Sequence, residues 1–457
     1  VTATGGPRPF VSRAPKLGLV PGFDGFRGTG MLLVMLVHAS GPLLESWATF
    51  VDAFFVLSGF LITTLLLQES RSTGTISLRQ FYARRATRLF PSLWLFCAVW
   101  LVIAAVATAV GFEPLHLRHV GADVAAAALY VYHLFFPLGL ATIEPAIQNQ
   151  RSMWHLWTLG VEEWFYLVIP AVVIVCVRRN WVKQLAAVML AGFVAIGLAR
   201  WFAYTGFFQD RSGVLPGIRM FFMQRPDGLM LGVALAVFNA HLTPEFVERH
   251  RRRVLALAAV ATVVWLVTMN LSLGIFERFG LPYFEYLPPT PEEFNRPHML
   301  ETLYWFRFGH TVCTAAFAVM TFALVHYWDW WLSRFWSIGA LQHVGRLSYT
   351  LYIWHGLPFI ILLGLTDGMD APIGVQLLRV PLLYLATFAI AIPVYRYVEM
   401  PALRLKMRFY SEPEVLDRRT GEIVRNESST GGTGPAVAPR SGADGTIVAG
   451  DGGAVSP

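Results

Sequence analysis

The sequence predicts an all-α integral membrane protein, a bundle of about ten spanning helices with one extra re-entrant or outer-leaflet element. Three observations predict it. Of the 457 residues, 55% are hydrophobic and only 14% charged, well below the roughly 25% charged residues of a typical soluble domain. Apolar runs near the length needed to cross a bilayer, about 20 residues, recur along the chain. Arg and Lys gather in alternate connections between those runs, as the positive-inside rule requires of a multi-pass protein.

The elements follow in order. Residues 1–20 form a polar, cytoplasmic N-terminal segment with Arg8, Arg13 and Lys16. No cleavable signal peptide is expected, and the first apolar run reads as a signal-anchor helix. Spans are expected near 29–46, 50–68, 89–110, 155–177, 184–203, 222–239, 254–276, 303–327, 340–363 and 374–396, within a membrane domain over 21–408. Basic clusters follow the even-numbered spans: Arg71 to Arg88, then Arg178, Arg179 and Lys183, then Arg249 to Arg253, then Arg404 to Arg408. Both termini are therefore expected in the cytoplasm. Residues 123–141 are apolar enough to span, but a span there would turn every later basic loop outward, so a non-spanning element is predicted. The outer loop 277–300, with its aromatics and Glu277, Glu285, Glu292 and Glu293, suits either a packed lid or a sugar-binding surface. Residues 409–457 are rich in Gly, Ser, Ala and Pro, and a disordered cytoplasmic tail is expected.

Charge and cysteine content exclude other classes. The net charge of +7 reflects inner-face loops and not a nucleic-acid surface. Cys97, Cys176 and Cys313 stand far apart in apolar runs, with no metal-ligand spacing. No tightly bound cofactor is expected, and the chain carries no phosphate-binding loop, dinucleotide fingerprint or HExxH.

Ionisable residues inside spans are the functional candidates, because each costs about 2.5–3.5 kcal/mol at mid-bilayer on insertion scales. The first span, FDGFRGTGMLLVMLVHAS, holds Arg27 and His38. Eleven residues at about 100° each bring both onto one face, roughly 16 Å apart along the axis. The fourth, WHLWTLGVEEWFYLVIP, carries Glu162 and Glu163, which point about 100° apart. Glu162 is placed to orient His38 and raise its basicity. Arg84, Arg85 and Arg88 open the third span and suit phosphate recognition as well as interfacial anchoring. Asp52, Arg225, Asp227 and His355 stand at or near the outer ends of their spans, Arg225 beside Asp227 as a possible pair. Structural pairing is their plainer role; with Glu163 they are the candidates for substrate contacts. Glu399 is expected to pair with a nearby Arg.

These stretches together resemble the acyltransferase 3 family of bacterial membrane O-acyltransferases. The resemblance rests on FDGFRGTGMLLVMLVH, VDAFFVLSGFLITTLLL, FYARRATRLFPSLWL, WHLWTLGVEEWFYLVIP, RPDGLMLGVALA, GRLSYTLYIWHGLP and YVEMPALR, in that order over about 20–405. It implies a bundle of about ten helices in the bacterial inner membrane and transfer of an acyl group, often acetyl, from cytosolic acyl-CoA to a hydroxyl of an extracytoplasmic glycan, glycolipid or glycosylated metabolite. It maps the family's essential Arg and His onto Arg27 and His38, its carboxylate onto Glu162, and its basic stretch onto Arg84, Arg85 and Arg88. Trp164 departs from the Gln usual after the two carboxylates. Many relatives carry a soluble hydrolase-like domain after the membrane part, where this chain has its low-complexity tail. The alternative reading is a glycolipid or drug transporter with a His–Glu proton relay.

Overall fold

The computed structural model describes residues 10–14, 16–135, 153–201, 225–273, 280, 283–286, 304–366, 368, 371–406, 414–416 and 423–425. Its helices are α1 Pro21–Ser40, α2 Phe50–Thr73, α3 Leu78–Ala109, α4 Leu117–Ala128, α5 Tyr132–Phe135, α6 Trp157–Arg178, α7 Val182–Trp201, α8 Asp227–His241, α9 Pro244–Arg249, α10 Arg251–Asn270, α11 Gly309–His326, α12 Trp331–Trp336, α13 Gly339–Trp354, α14 Gly356–Leu365, α15 Ile373–Val394 and α16 Met400–Lys406. Among the described residues, seven helical stretches are long and apolar enough to cross a membrane, and α13 with α14 make an eighth bent by 54°. Two more expected spans are the 20-residue α1 and the short apolar α8.

The first span begins earlier than hydropathy suggested. Helix α1 starts at Pro21, whose fixed φ suits a first turn, and Asp24 complements the helix dipole there. Arg27 therefore lies well inside the helix, on the stretch that also holds His38, although the apolar run alone put the start near residue 29. A 3-10 turn from Gly41 to Thr49 then leads into α2.

The segment 123–141 does not form one continuous helix in its described part. Helix α4 stops after 12 residues and the chain turns at Tyr130, whose φ of 56° is left-handed, before the four-residue α5. Twelve residues rise only about 18 Å, short of the roughly 30 Å hydrocarbon core. Residues 136–141 lie outside the described residues, as do most of the loop 277–300 and most of the tail. Where the tail is described it is not featureless: Glu414–Leu416 pairs antiparallel with Ile423–Arg425, with Val415 opposite Val424. The apolar and β-branched content of both stretches, EVL and IVR, suits the pairing.

Two backbone-to-backbone contacts set the bundle. Helix α1 lies against α13, where a Cβ on Gly28 would come within 2.8 Å of the Gly345 nitrogen. Helix α2 lies against α8, where a Cβ on Gly232 would meet the Phe60 nitrogen at the same 2.8 Å. Small residues at these crossings allow the approach. Two apolar cores flank the pair. One joins α1, α3, α13, α14 and α15 around Phe96, Trp100 and Trp354; the other joins α1, α2, α10, α11 and α12 around Phe50, Phe317 and Trp336.

Candidate active site

Helix α1 supplies the axis of the site. Arg27, Met31, Val34 and His38 are spaced by four, three and four residues, which places them on one face. The first three line a cavity of about 220 Å³. Its other walls are α2 (Val51 to Leu65, including Ser58), α3 (Arg85, Arg88, Leu89), α6 (Thr158, Leu159, Glu162, Tyr166) and α13 (Ser348, Tyr349, Tyr352).

The cations gather where α1 and α3 begin. Arg85 donates to Glu163 at 3.1 Å, and its guanidinium carbon lies 3.3 Å over the Tyr166 ring centre. Arg27 and Arg88 also line the cavity, and neither makes an ion pair with a described carboxylate. Arg84 stands outside the wall and pairs with Glu69 at 3.2 Å. Partway along, Glu162 accepts from the Ser58 hydroxyl at 2.8 Å. The cavity thus offers two cations with no close ion pair among the described residues, one ion-paired cation and a long apolar wall.

At its other end the cavity meets Tyr352 and Thr158, whose hydroxyls lie 2.6 Å apart. Tyr352 also donates to the His155 carbonyl. One turn beyond Val34, His38 Nδ1 lies 2.9 Å from His355 Nε2, and His355 Nδ1 lies 2.6 Å from the Tyr352 carbonyl. The Trp154 ring stands edge-on to His38, with centres 4.6 Å apart, and Phe359 closes another side. His155 Nε2 meets the Ile353 carbonyl at 3.1 Å, and its ring packs against His355 with centres 4.7 Å apart. Three imidazoles therefore cluster at the far end of a helix face that begins with a cation.

A family model described as an acyltransferase domain matches residues 20–396. The chain belongs to the acyltransferase 3 family. Among curated proteins it is similar to the peptidoglycan O-acetyltransferase OatA of Listeria monocytogenes, 28% identical over 388 residues, covering 84% of this chain and 55% of that protein. It is also similar to the O-acetyltransferase OatA of Staphylococcus aureus, 26% identical over 419 residues, covering 89% of this chain and 60% of that one. The chain thus spans less than two thirds of these relatives' length. No solved structure matches.

The acyltransferase 3 bundle brings Arg27, His38, Glu162, Arg85 and Arg88 to one cavity and its end, but it corrects the expected pairings. Glu162 is held by Ser58, and the ring nitrogen of His38 meets His355 instead. Arg225 does not pair with Asp227. Arg225 sits in the left-handed region at φ 53°, which turns it toward α2, where it meets Asp52 Oδ1 at 3.2 Å. Asp227, in the first turn of α8, instead takes a two-pronged hydrogen bond from the buried Arg200 of α7. His310 Nδ1 lies 2.7 Å from Asp52 Oδ2, and the Tyr286 hydroxyl lies 2.9 Å from His310 Nε2. Asp52, Arg225, Asp227 and His310 are all buried and form a second polar cluster, none of which lines the cavity. Glu399 accepts from the Thr350 hydroxyl, with Arg88 and Arg27 near enough to act on its charge. Trp164, the departure from the family pattern, is 45% exposed.

Sequence reasoning missed His155, Tyr352 and Arg200. The rule that ionisable groups within spans are worth naming would have found His155 and Arg200. Tyr352 had no such signal, because a Tyr near a helix end is common in membrane proteins.

Proposed function

We propose that this membrane O-acyltransferase moves an acetyl or short acyl group from cytosolic acyl-CoA to a hydroxyl of an extracytoplasmic glycan, glycolipid or glycosylated metabolite. The observation that carries the reading is the unbroken α1 face, Arg27–Met31–Val34–His38, three of whose members wall one cavity. A donor of this class has an anionic, phosphate-bearing head and a thin, largely apolar arm. Arg88 and Arg27, with Arg85 behind them, suit the phosphates through charge-assisted hydrogen bonds. The apolar wall suits the arm, and its direction leads the thioester toward His38.

His38 then acts as general base. It takes the proton of the acceptor hydroxyl as that oxygen attacks the thioester carbonyl; the carbon–sulfur bond breaks, and the departing thiolate receives the proton from the imidazolium. The same placement serves a two-step route in which the acyl group rests on His38 before the acceptor arrives. A single turnover without acceptor, quenched and mapped by mass spectrometry, separates the routes by the presence or absence of acyl-His38. Loop charge supports an inner-membrane location with the Arg end of α1 and both termini on the cytoplasmic side. Similarity to two O-acetyltransferases, one acting on peptidoglycan by its name, supports acetyl as the group and a cell-envelope glycan as the acceptor.

The test compares envelope glycans and glycolipids of a deletion strain with its parent by mass spectrometry. An acetyl mass lost on deletion, restored by the wild-type gene and not by His38→Ala, is the expected result. Unchanged glycans together with a defect in export of an unmodified glycolipid would overturn it in favour of transport.

A further inference from the structure

We infer that His355 is the positioning residue for His38, fixing which ring nitrogen of His38 is free to act; this rests on the reading of His38 as the base. The argument is a donor count. A backbone carbonyl only accepts, so His355 Nδ1, 2.6 Å from the Tyr352 oxygen, carries the proton of that ring. Neutral His355 then presents a lone pair at Nε2. The nitrogen 2.9 Å away, His38 Nδ1, must be the donor. That leaves His38 Nε2 unprotonated, the form needed for a base or an acyl carrier.

The rings are placed for this bond. Their planes are within 9° of each other and their centres 5.0 Å apart while the nitrogens are 2.9 Å apart, so the rings lie edge to edge with the bond between them. His355 is fully buried and stands at the 54° break between α13 and α14. The break explains why a side chain can reach the Tyr352 carbonyl, which an uninterrupted helix would engage with the backbone four residues on. Gly356 follows immediately, and a Cβ there would strike the His155 ring. His155, with Nε2 on the Ile353 carbonyl, holds the other side of His355. Once His38 takes up a proton, its bond to His355 becomes charge-assisted and stronger. This is the service that a carboxylate gives in the familiar nucleophile–His–Asp arrangement, here given by an imidazole whose own orientation is fixed by a carbonyl.

The test uses full-length protein, uniformly 15N-labelled at histidine, in lipid bilayers. Solid-state NMR is expected to show His38 protonated at Nδ1 and correlated through the hydrogen bond with His355 Nε2. His38 protonated at Nε2 would overturn the inference. The second arm measures acetyl transfer from radiolabelled acetyl-CoA to soluble peptidoglycan fragments in proteoliposomes. His355→Leu should lose about 100-fold or more in kcat, in the range of a general-base contribution, with acetyl-CoA affinity unchanged. His355→Gln, whose amide oxygen can accept from His38 Nδ1, should recover most of that loss. A Gln variant as inactive as Leu, with both proteins folded and binding acetyl-CoA normally, contradicts the positioning role. If the NMR result holds but His38→Ala keeps full activity, the base assignment fails and the His38–His355 bond stands.

Discussion

Two buried polar clusters lie along α2, one around Asp52 and one around the cavity, and they differ in how completely their charges are answered. Around Asp52, every strong charge has a counter-charge: Arg225 and His310 meet Asp52, Tyr286 caps His310, and Arg200 grips Asp227 with both nitrogens. Around the cavity, Arg27 and Arg88 make no close ion pair among the described residues, although Asp24, Glu162, Glu163 and Glu399 stand near enough to act on them, and His38 Nε2 has no hydrogen-bond partner among the described residues. An ion-paired network of this kind fixes how α2, α7, α8 and α11 pack, since breaking one pair strands its partner in a medium that cannot solvate it. A site whose cations make no close ion pair has spare valence for a substrate. Membrane-embedded ionisable residues thus divide by what they leave open, and burial alone does not separate structure from chemistry.

The comparison can be broken first at its structural side. Arg200→Leu leaves Asp227 buried without its cation, a loss of about 3–5 kcal/mol by the usual cost of unpairing a buried ion. Detergent-solubilised Arg200→Leu should show a large fall in thermal midpoint or fail to fold, whereas Arg88→Leu should keep the wild-type midpoint. Equal stability of the two variants would dissolve the distinction. The second effect concerns the donor. Arg88→Ala and Arg27→Ala should each weaken acetyl-CoA binding by about 10- to 100-fold, the worth of a charged hydrogen bond of roughly 1.5–3 kcal/mol, measured by titration calorimetry. Arg84→Ala should do much less, because Arg84 is tied to Glu69 outside the cavity wall; a loss equal to that of Arg88 would move the donor site.

Smaller effects sharpen the same contrast. Glu162→Gln keeps an acceptor for the Ser58 hydroxyl, so transfer should fall by about tenfold or less, the scale of one neutral hydrogen bond. A loss as deep as that of His38→Ala would restore Glu162 to direct service of the histidine. Arg118 and Glu113 form an exposed pair, 68% and 67% accessible. Arg118→Ala should change neither midpoint nor transfer, since exposed pairs contribute little.

Much of this was legible in the sequence, and the gaps have physical reasons. Apolar run length gave the spans, and the 11-residue spacing gave the shared face of Arg27 and His38, because both depend only on local geometry. The start of α1 was misplaced because hydropathy excludes Asp24 and Arg27 from a span that the backbone includes. Partners across the bundle were not legible. His38 and His355 lie 317 residues apart, and no periodicity states which helices abut. Glu162 was matched to His38 on depth alone, and a hydroxyl on α2 proved nearer. Arg225 and Asp227 misled through their adjacency in sequence: the left-handed turn at Arg225 sends the two side chains to different helices. The bend at His355, which lets that ring reach a backbone carbonyl, is signalled by Gly356 and by Pro358, which cannot donate to the Trp354 carbonyl, but neither says what the ring meets.

The most direct test of the account is acyl transfer by His38→Ala in proteoliposomes given radiolabelled acetyl-CoA and soluble peptidoglycan fragments. The account predicts a folded protein that binds acetyl-CoA with wild-type affinity and transfers no label above background. Transfer at the wild-type rate would contradict it.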